Sequence, residues 1–164
     1  MTAEEDSSFV PWSRRPIPPE EGELEIELSR KPVPYHIARC FEGQVDSVQC
    51  RALALSSCRI SCMATDVVRG RISADRLQRS VTTQCLRKLD TMAVLLDDER
   101  RRRPEQGHPM GVLPVIPQSV NGMLISATHI ETAIHLTIGS NDHWANIALQ
   151  QIGCRWMCVY ADIG

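Results

Sequence analysis

The stretch from residue 124 to residue 138, LISATHIETAIHLTI, carries the clearest pattern in this sequence. One parity holds the apolar residues Leu124, Ile130, Ile134, Leu136 and Ile138, and the other holds His129, Glu131 and His135. Alternation with a period of two is typical of strands that bury one face and expose the other. The stretch therefore predicts two strands, or one long bent strand, in a sheet.

Three more segments with the same period extend this sheet toward both ends of the chain. Residues 23–28 alternate glutamate with leucine or isoleucine, and residues 154–160 alternate in a similar way. Pro32 and Pro34 are expected to end the first of these strands, because proline donates no hydrogen bond to a ladder. Residues 50–64 predict one or two further strands, with Cys58 and Cys62 on one face.

Helical spacing is found between these runs. Apolar residues three and four positions apart predict a long helix from about Ser73 to the arginine tract that ends at Arg103. Two shorter helices are expected over residues 35–42 and 141–152, the second ending at Gly153. The predicted fold class is α+β, with a mostly antiparallel sheet, one long helix and two shorter helices.

The length and the proline distribution predict one domain with a tail. The chain has 164 residues, of which 43% are hydrophobic, which suits a single core. Residues 1–22 are rich in proline and acids and predict a disordered, flexible tail. Residues 23–164 are expected to form one globular domain, interrupted by an irregular proline-rich loop at about 97–121.

Composition also indicates the compartment. Glu4, Glu5 and Asp6 occupy the region where a secretory signal needs basic residues and then an apolar run. Uninterrupted aliphatic runs are much shorter than the roughly 20 residues that cross a bilayer. The seven cysteines are odd in number, so they cannot all pair within the chain. We expect an intracellular protein, not a secreted one, whose thiols are free and whose strand cysteines lie in the core.

The formal net charge of −2 is an average over unlike segments. Residues 1–27 carry eight acids and two arginines, whereas residues 28–103 carry 15 Lys or Arg and eight acids. Within the basic segment, Arg100, Arg101, Arg102 and Arg103 are adjacent and follow three acids. They are candidates for contact with the phosphates of RNA or anionic lipid. The alternative is a solvated helix end that the preceding acids neutralise.

The tail holds a second candidate interaction segment, formed by Phe9, Trp12, Pro16, Pro18 and Pro19. Proline-rich segments with aromatic residues can enter the grooves of SH3-like or WW-like domains. One hypothesis is therefore a small module that binds a host factor. The other is a stiff tail that contacts the body of the protein or a partner.

A metal-dependent enzyme is the third hypothesis. His129, Glu131, Cys154 and Cys158 resemble the His-x-Glu and Cys-x-x-Cys elements of zinc nucleobase deaminases, in which zinc activates water and glutamate moves protons. Here the cysteine spacing is longer and Gly153 replaces the proline of that motif. Catalytic nucleophile motifs and glycine-rich phosphate loops are not found. We therefore expect a non-enzymatic protein without metal or cofactor.

The order of these segments resembles the matrix proteins of rhabdoviruses, especially the small ones of plant-infecting members. The likeness comprises a proline-bearing tail, a strand ending in a basic proline segment (23–34), a middle loop (97–121), and a strand, helix, glycine and strand (130–160). It implies a non-enzymatic virion protein of the host cytoplasm that self-associates and links the ribonucleoprotein to the membrane. It also implies RNA or lipid contact at Arg100–Arg103 and a tail that contacts a neighbouring subunit. The Pro-Pro-x-Tyr segment of many such proteins is replaced here by Pro-Pro-Glu-Glu at 18–21.

Overall fold

The computed structural model describes residues 16–27 and 29–164. Two strands come first in the chain, β1 (Glu20–Leu24) and β2 (Val33–Arg39). They are followed by two helices, α1 (Ser47–Val68) and α2 (Thr83–Arg102). The remaining strands are β3 (Val115–Ser126), β4 (His129–Ile138), β5 (Asn141–Ile152) and β6 (Arg155–Ile163). Short 3-10 helices occupy Ala74–Leu77 and Pro104–Gln106.

The strands form one mixed sheet in chain order, with β1 and β6 at its edges. β2 and β3 are parallel, and the other neighbouring pairs are antiparallel. The class is α+β, but the prediction of a mostly antiparallel sheet with one long and two shorter helices is wrong. Both α-helices lie in the connection from β2 to β3, which returns the chain to the starting end of β2 and makes the two strands parallel.

The strands predicted within residues 50–64 are in fact the middle of α1. Its buried positions recur every three or four residues, at Cys50, Leu53, Ala54, Ser57, Cys58, Ser61, Cys62 and Thr65. The period was misread because serine and threonine share this buried face with cysteine. Two of these hydroxyls are satisfied within the helix: Ser61 Oγ donates to Cys58 O and Thr65 Oγ1 to Ser61 O, each at 2.7 Å.

The two short predicted helices are strands instead. Residues 35–42 lie largely in β2, and Pro34 is tolerated because the ladder with β3 begins one residue later, at Tyr35. Residues 141–152 form β5, which pairs along its whole length with β4. Gly139 and Gly153 have φ of +61° and +64° and form the turns on either side of β5. Gly153 therefore starts the last hairpin and does not end a helix.

Several boundaries also differ from the sequence prediction. β1 begins at Glu20, inside the predicted tail, and ends at Leu24, although Ile26 is also buried. Ser73 caps only a 3-10 turn, while α2 begins after the cap Thr82 and continues to Arg102. The irregular loop is therefore shorter than 97–121, because β3 begins at Val115 and accommodates Pro117 at a register shift.

The core lies between α1 and one face of the sheet. α1 contacts all six strands, and α2 packs against α1 and the β6 edge. Each strand contributes alternate side chains to this layer, for example Ile130, Ile134 and Leu136 from β4. Thr82 N donates to Cys158 O and Cys158 N donates to Ser80 O, so the segment before α2 covers part of the β6 edge. The predicted strands at β4 and β6 are confirmed.

Candidate polyanion contact site and the open sheet face

The arginine tract predicted from the sequence forms the last turn of α2 and the residue after it. All four side chains belong to exposed residues. Arg100 Nη2 lies 2.7 Å from Asp97 Oδ1, and Arg101 Nε lies 2.8 Å from Asp97 Oδ2. The hydrogen bond from Arg100 and the nearby charge of Arg101 lower the pKa of Asp97. Two of the four arginines thus share the single negative charge of Asp97.

The other two arginines, Arg102 and Arg103, have no carboxylate within ion-pair distance among the described residues. Cations at a helix C-terminus also interact favourably with the helix dipole. That interaction does not use up their side-chain hydrogen-bond donors, and both residues are exposed. These two charges remain available to an external anion.

Beside this tract lies a surface cleft of about 420 Å³, which we call the basic cleft. Its lining includes Arg69, Arg71, Asp97, Arg100, His108 and Val112. It is formed where the C-terminal ends of α1 and α2 meet the loop that precedes β3. The sequence reasoning missed Arg69 and Arg71, although a pair of arginines around Gly70 at the end of an apolar run was a visible signal.

The buried side chain of Arg69 connects the end of α1 to the loop that borders the cleft. Its side chain is only 1% exposed and pairs with Asp66 at 2.5 Å. Its Nη1 donates to Leu113 O at 2.7 Å and to Gly111 O at 3.2 Å. Arg71 makes a parallel contact, donating from Nη1 to Val112 O at 2.7 Å. Two arginines at the end of α1 thus hold the loop 111–113 in place.

The loop held in this way exposes apolar side chains next to the cations. Val112 is 71% exposed and Leu113 is 56% exposed. Val94 and Leu95 on α2 are similarly exposed, so exposure alone does not distinguish this loop; its position beside the cations does. The basic cleft therefore combines guanidinium groups with an apolar protrusion.

His108 lies in the cleft, and its pKa is affected by burial and by the charges around it. Its Nδ1 accepts a hydrogen bond from Met110 N at 3.1 Å. Burial and the charges of Arg69 and Arg100 lower the pKa of His108, with Asp97 acting in the opposite direction. Burial is the larger cause and the two arginines the smaller one, and both favour the neutral imidazole.

The structure describes only three of the five residues of the candidate tail segment. Pro16, Pro18 and Pro19 are exposed and lead into β1. Phe9 and Trp12 lie outside the described residues. The prediction that this segment mediates an interaction therefore stays a prediction.

The alternative metal ligands are not brought together. His129 and Glu131 lie on one face of β4, with His129 Nε2 3.0 Å from Glu131 Oε1. Cys158 is fully buried on the opposite face of the sheet, and Cys154 is exposed in the turn before β6. In the described ranges, no group of three His, Cys, Asp or Glu side chains could hold a metal ion.

All seven cysteines are free thiols. Cys58, Cys62 and Cys158 are buried as expected, but the first two lie on a helix and not on a strand. The exposed Cys154 contradicts the expectation of a core position. Burial raises the pKa of Cys50 to about 11, and the hydrogen bond to Cys62 together with burial raises the pKa of Cys58. Such thiols are poor nucleophiles at neutral pH.

The sheet face away from α1, here called the open face, has no described helix packed on it. One row crosses all six strands through Glu21, His36, Asn121, Ala133, Asn146 and Asp162. Its neighbouring row pairs Met123, Glu131, Ala148 and Tyr160. The short side chains of Ala133 and Ala148 between larger ones leave a groove of about 770 Å³.

The chain matches no protein-family model, no curated protein and no solved structure. The similarity to rhabdovirus matrix proteins therefore stays a hypothesis from the order of segments. One part of that order is changed by the structure, because residues 141–152 form β5 and not a helix. No helix in the described part of the chain is long and apolar enough to cross a membrane.

Proposed function

We propose that this protein is a non-enzymatic, self-associating structural protein that attaches to anionic membrane surfaces through the basic cleft and the adjacent end of α2. In this role it resembles a viral matrix protein, which connects a ribonucleoprotein to a membrane. The observation that carries the proposal is the position of exposed Val112 and Leu113 directly beside Arg71, which donates to Val112 O.

Both physical requirements of peripheral membrane binding meet at this point. Surface cations contribute about 1 kcal/mol each near an anionic leaflet. Aliphatic side chains add stabilisation when they enter the boundary between headgroups and acyl chains. Arg71 beside the loop and Arg102 and Arg103 at the exposed end of α2 supply the cations. The loop held by Arg69 supplies the aliphatic groups. The contact would be reversible, because only two aliphatic side chains are involved.

A lipid surface is favoured here over single-stranded RNA. Proteins that bind single strands usually stack bases on aromatic side chains. None of the residues that line the basic cleft is a phenylalanine, tyrosine or tryptophan. Contact with an RNA backbone through phosphates alone is the competing outcome that the experiment must separate.

Charge separation supports the self-association part of the proposal. β3, β4 and β5 contain no lysine or arginine, and the open face carries Glu21, Glu131 and Asp162. The arginines of the basic cleft lie in the helical layer, on the other side of the sheet. Opposite charges on opposite sides favour head-to-tail contact between copies, and salt weakens such contact.

The test is flotation or sedimentation with vesicles of phosphatidylcholine alone or mixed with phosphatidylserine. We expect binding only to the mixed vesicles. The variant R71Q/R102Q/R103Q is expected to bind roughly 100-fold less tightly, from three contributions of about 1 kcal/mol each. V112S/L113S is expected to weaken vesicle binding without changing any binding to a labelled single-stranded RNA.

The matched control is R76Q/R87Q/K88Q, which removes the same charge from exposed positions that do not line the cleft. Equal losses in the two triple variants would indicate a nonspecific charge effect and contradict the proposal. Binding to RNA but not to mixed vesicles would also contradict it. Sedimentation at rising protein concentration should give larger species that disperse in high salt, and a monomer insensitive to salt would overturn self-association.

A further inference from the structure

The groove on the open face has the features of a binding site for an apolar segment. Large apolar side chains flank its alanine floor, with Met123 46% exposed and Tyr160 47% exposed. Nearby, Trp144 is 48% exposed and stacks on His135 with ring centroids 4.9 Å apart. Exposed apolar side chains grouped around one groove are typical of interaction surfaces. The groove volume also lies within the range of about 300–1,000 Å³ that binding sites occupy.

We propose that residues 9–15 of the same chain, FVPWSRR, bind in this groove, with Phe9 and Trp12 over its floor and Arg14 and Arg15 near its acidic border. This intramolecular contact goes beyond the membrane attachment proposed above, because it uses the opposite side of the sheet. It competes with the proposed head-to-tail contact between copies for the acidic open face.

The first argument is the point at which the chain enters the sheet. β1 begins at Glu20, which pairs with Ile37 of β2. The next residue of β2, Ala38, pairs with Met123, which forms one wall of the groove. The segment before β1 therefore leaves the sheet edge at the level of the groove.

The second argument is length. Strand spacing of about 4.8 Å places the middle of the groove, between β4 and β5, roughly 17 Å from β1. An extended chain from Trp12 to Glu20 reaches at most about 28 Å. The extended chain is longer than this distance, so Trp12 can reach the middle of the groove. Phe9, three residues further from β1 in the sequence, can reach beyond it.

The third argument is charge. Residues 7–15 contain Arg14 and Arg15 and no acid. The open face near β1 carries Glu21 and Glu23, and the groove itself is lined by Glu131. The acids at 4–6 precede the aromatic residues in the sequence and are separated from β1 by more residues than Phe9 and Trp12 are. Binding of residues 9–15 therefore does not require these acids to lie over the open face. Apolar groups thus meet the apolar floor, and cations meet carboxylates.

The experiment is NMR of methyl-labelled methionines in the full-length chain. The aromatic ring currents of a docked segment shift the Met123 methyl resonance. We expect W12A, and to a smaller extent F9A, to move this resonance toward the position of an exposed methionine. The Met92 methyl on α2 is the control and should not move. A Met123 resonance unchanged by both variants would overturn the proposal.

A mixing experiment separates this contact from one between copies. Labelled W12A chain is mixed with an excess of unlabelled wild-type chain. An unchanged Met123 resonance supports docking within one chain. Restoration of the wild-type resonance means that the segment of another copy binds, which overturns the intramolecular form. Vesicle binding is measured on the same W12A sample and should be retained, so failure of this proposal and of membrane attachment can be told apart.

Discussion

Arg69 at the end of α1 donates a 2.7 Å hydrogen bond to the carbonyl of Leu113, and this contact joins the helical layer to the loop that precedes β3. The guanidinium is 1% exposed, so the bond lies in a region of low dielectric where it is strong. The apolar protrusion at 112–113 thus depends on a buried charge that the sequence did not single out.

The first prediction concerns this arginine. R69Q removes a buried cation that pairs with Asp66 and bonds to two carbonyls. Loss of one partner from a buried ion pair typically costs about 3–5 kcal/mol, and the lower end applies because Asp66 is partly exposed. Urea denaturation measures the free energy of unfolding. The exposed-site variant R76Q should change it by less than about 0.5 kcal/mol, and an equally small effect of R69Q would refute the role assigned to it.

The second prediction concerns pH. Burial and nearby arginines lower the pKa of His108 in the folded protein, so the unfolded chain binds its proton more readily. Stability from this group is therefore present above the ordinary histidine pKa of about 6.5 and is lost as the pH falls through the lowered folded value. H108N keeps an acceptor for Met110 N and should show a weaker fall in unfolding free energy between neutral and mildly acidic pH.

The same histidine gives a readout for the basic cleft. The charge of Arg100 contributes to the lowered pKa of His108, so an anionic surface that offsets this charge should raise that pKa toward its ordinary value. NMR titration of the imidazole with and without phosphatidylserine-containing micelles measures this. A titration curve that is identical in both samples would place the lipid contact elsewhere.

The third prediction concerns the close packing of β3 against β4. A Cβ at Gly122 would lie 2.7 Å from Glu131 O and 2.7 Å from Thr132 Cγ2. Backbone cannot move aside cheaply, so G122A is expected to destabilise the fold by about 1–3 kcal/mol. The neighbouring exposed residue Asn121 is the control, and N121A should be close to neutral in the same thermal denaturation.

The fourth prediction concerns the thiols. Cys40 and Cys154 are exposed and the other five cysteines are buried. A thiol reagent should therefore modify two groups rapidly in the native protein and the rest only after unfolding. The double variant C40S/C154S should show no rapid phase. Rapid modification of Cys58 or Cys62 would mean that α1 is not packed against the sheet as described.

Strands whose buried face is mostly apolar can be predicted correctly from the sequence. The pattern of Ile130, Ile134 and Leu136 predicts β4 because four of the five buried positions of this strand are apolar and its other face is mostly polar. α1 was misread because Ser57 and Ser61 are as buried as the cysteines beside them. A helix can bury a hydroxyl such as that of Ser61 against one of its own carbonyls, and that option is not visible in a hydrophobic pattern.

The candidate sites also differ in how far the sequence predicts them. The arginine tract at 100–103 could be found from adjacent charges, and its partial neutralisation by Asp97 follows from helical spacing. Arg71 and Val112 are far apart in sequence, and only the packing of α1 against the loop before β3 brings them together. The groove of the open face likewise requires the register of β3, β4 and β5.

Local periodicity and charge are enough to predict the α+β class, the β4 and β6 strands and the basic end of α2, because they are properties of neighbouring residues. The parallel pairing of β2 with β3, the strand conformation of residues 141–152 and the assembly of the basic cleft become visible only in the folded chain. The physical reason is that the second group depends on partners distant in the chain: β5 is a strand because β4 pairs with it, and the cleft exists because Arg69 reaches the Leu113 carbonyl.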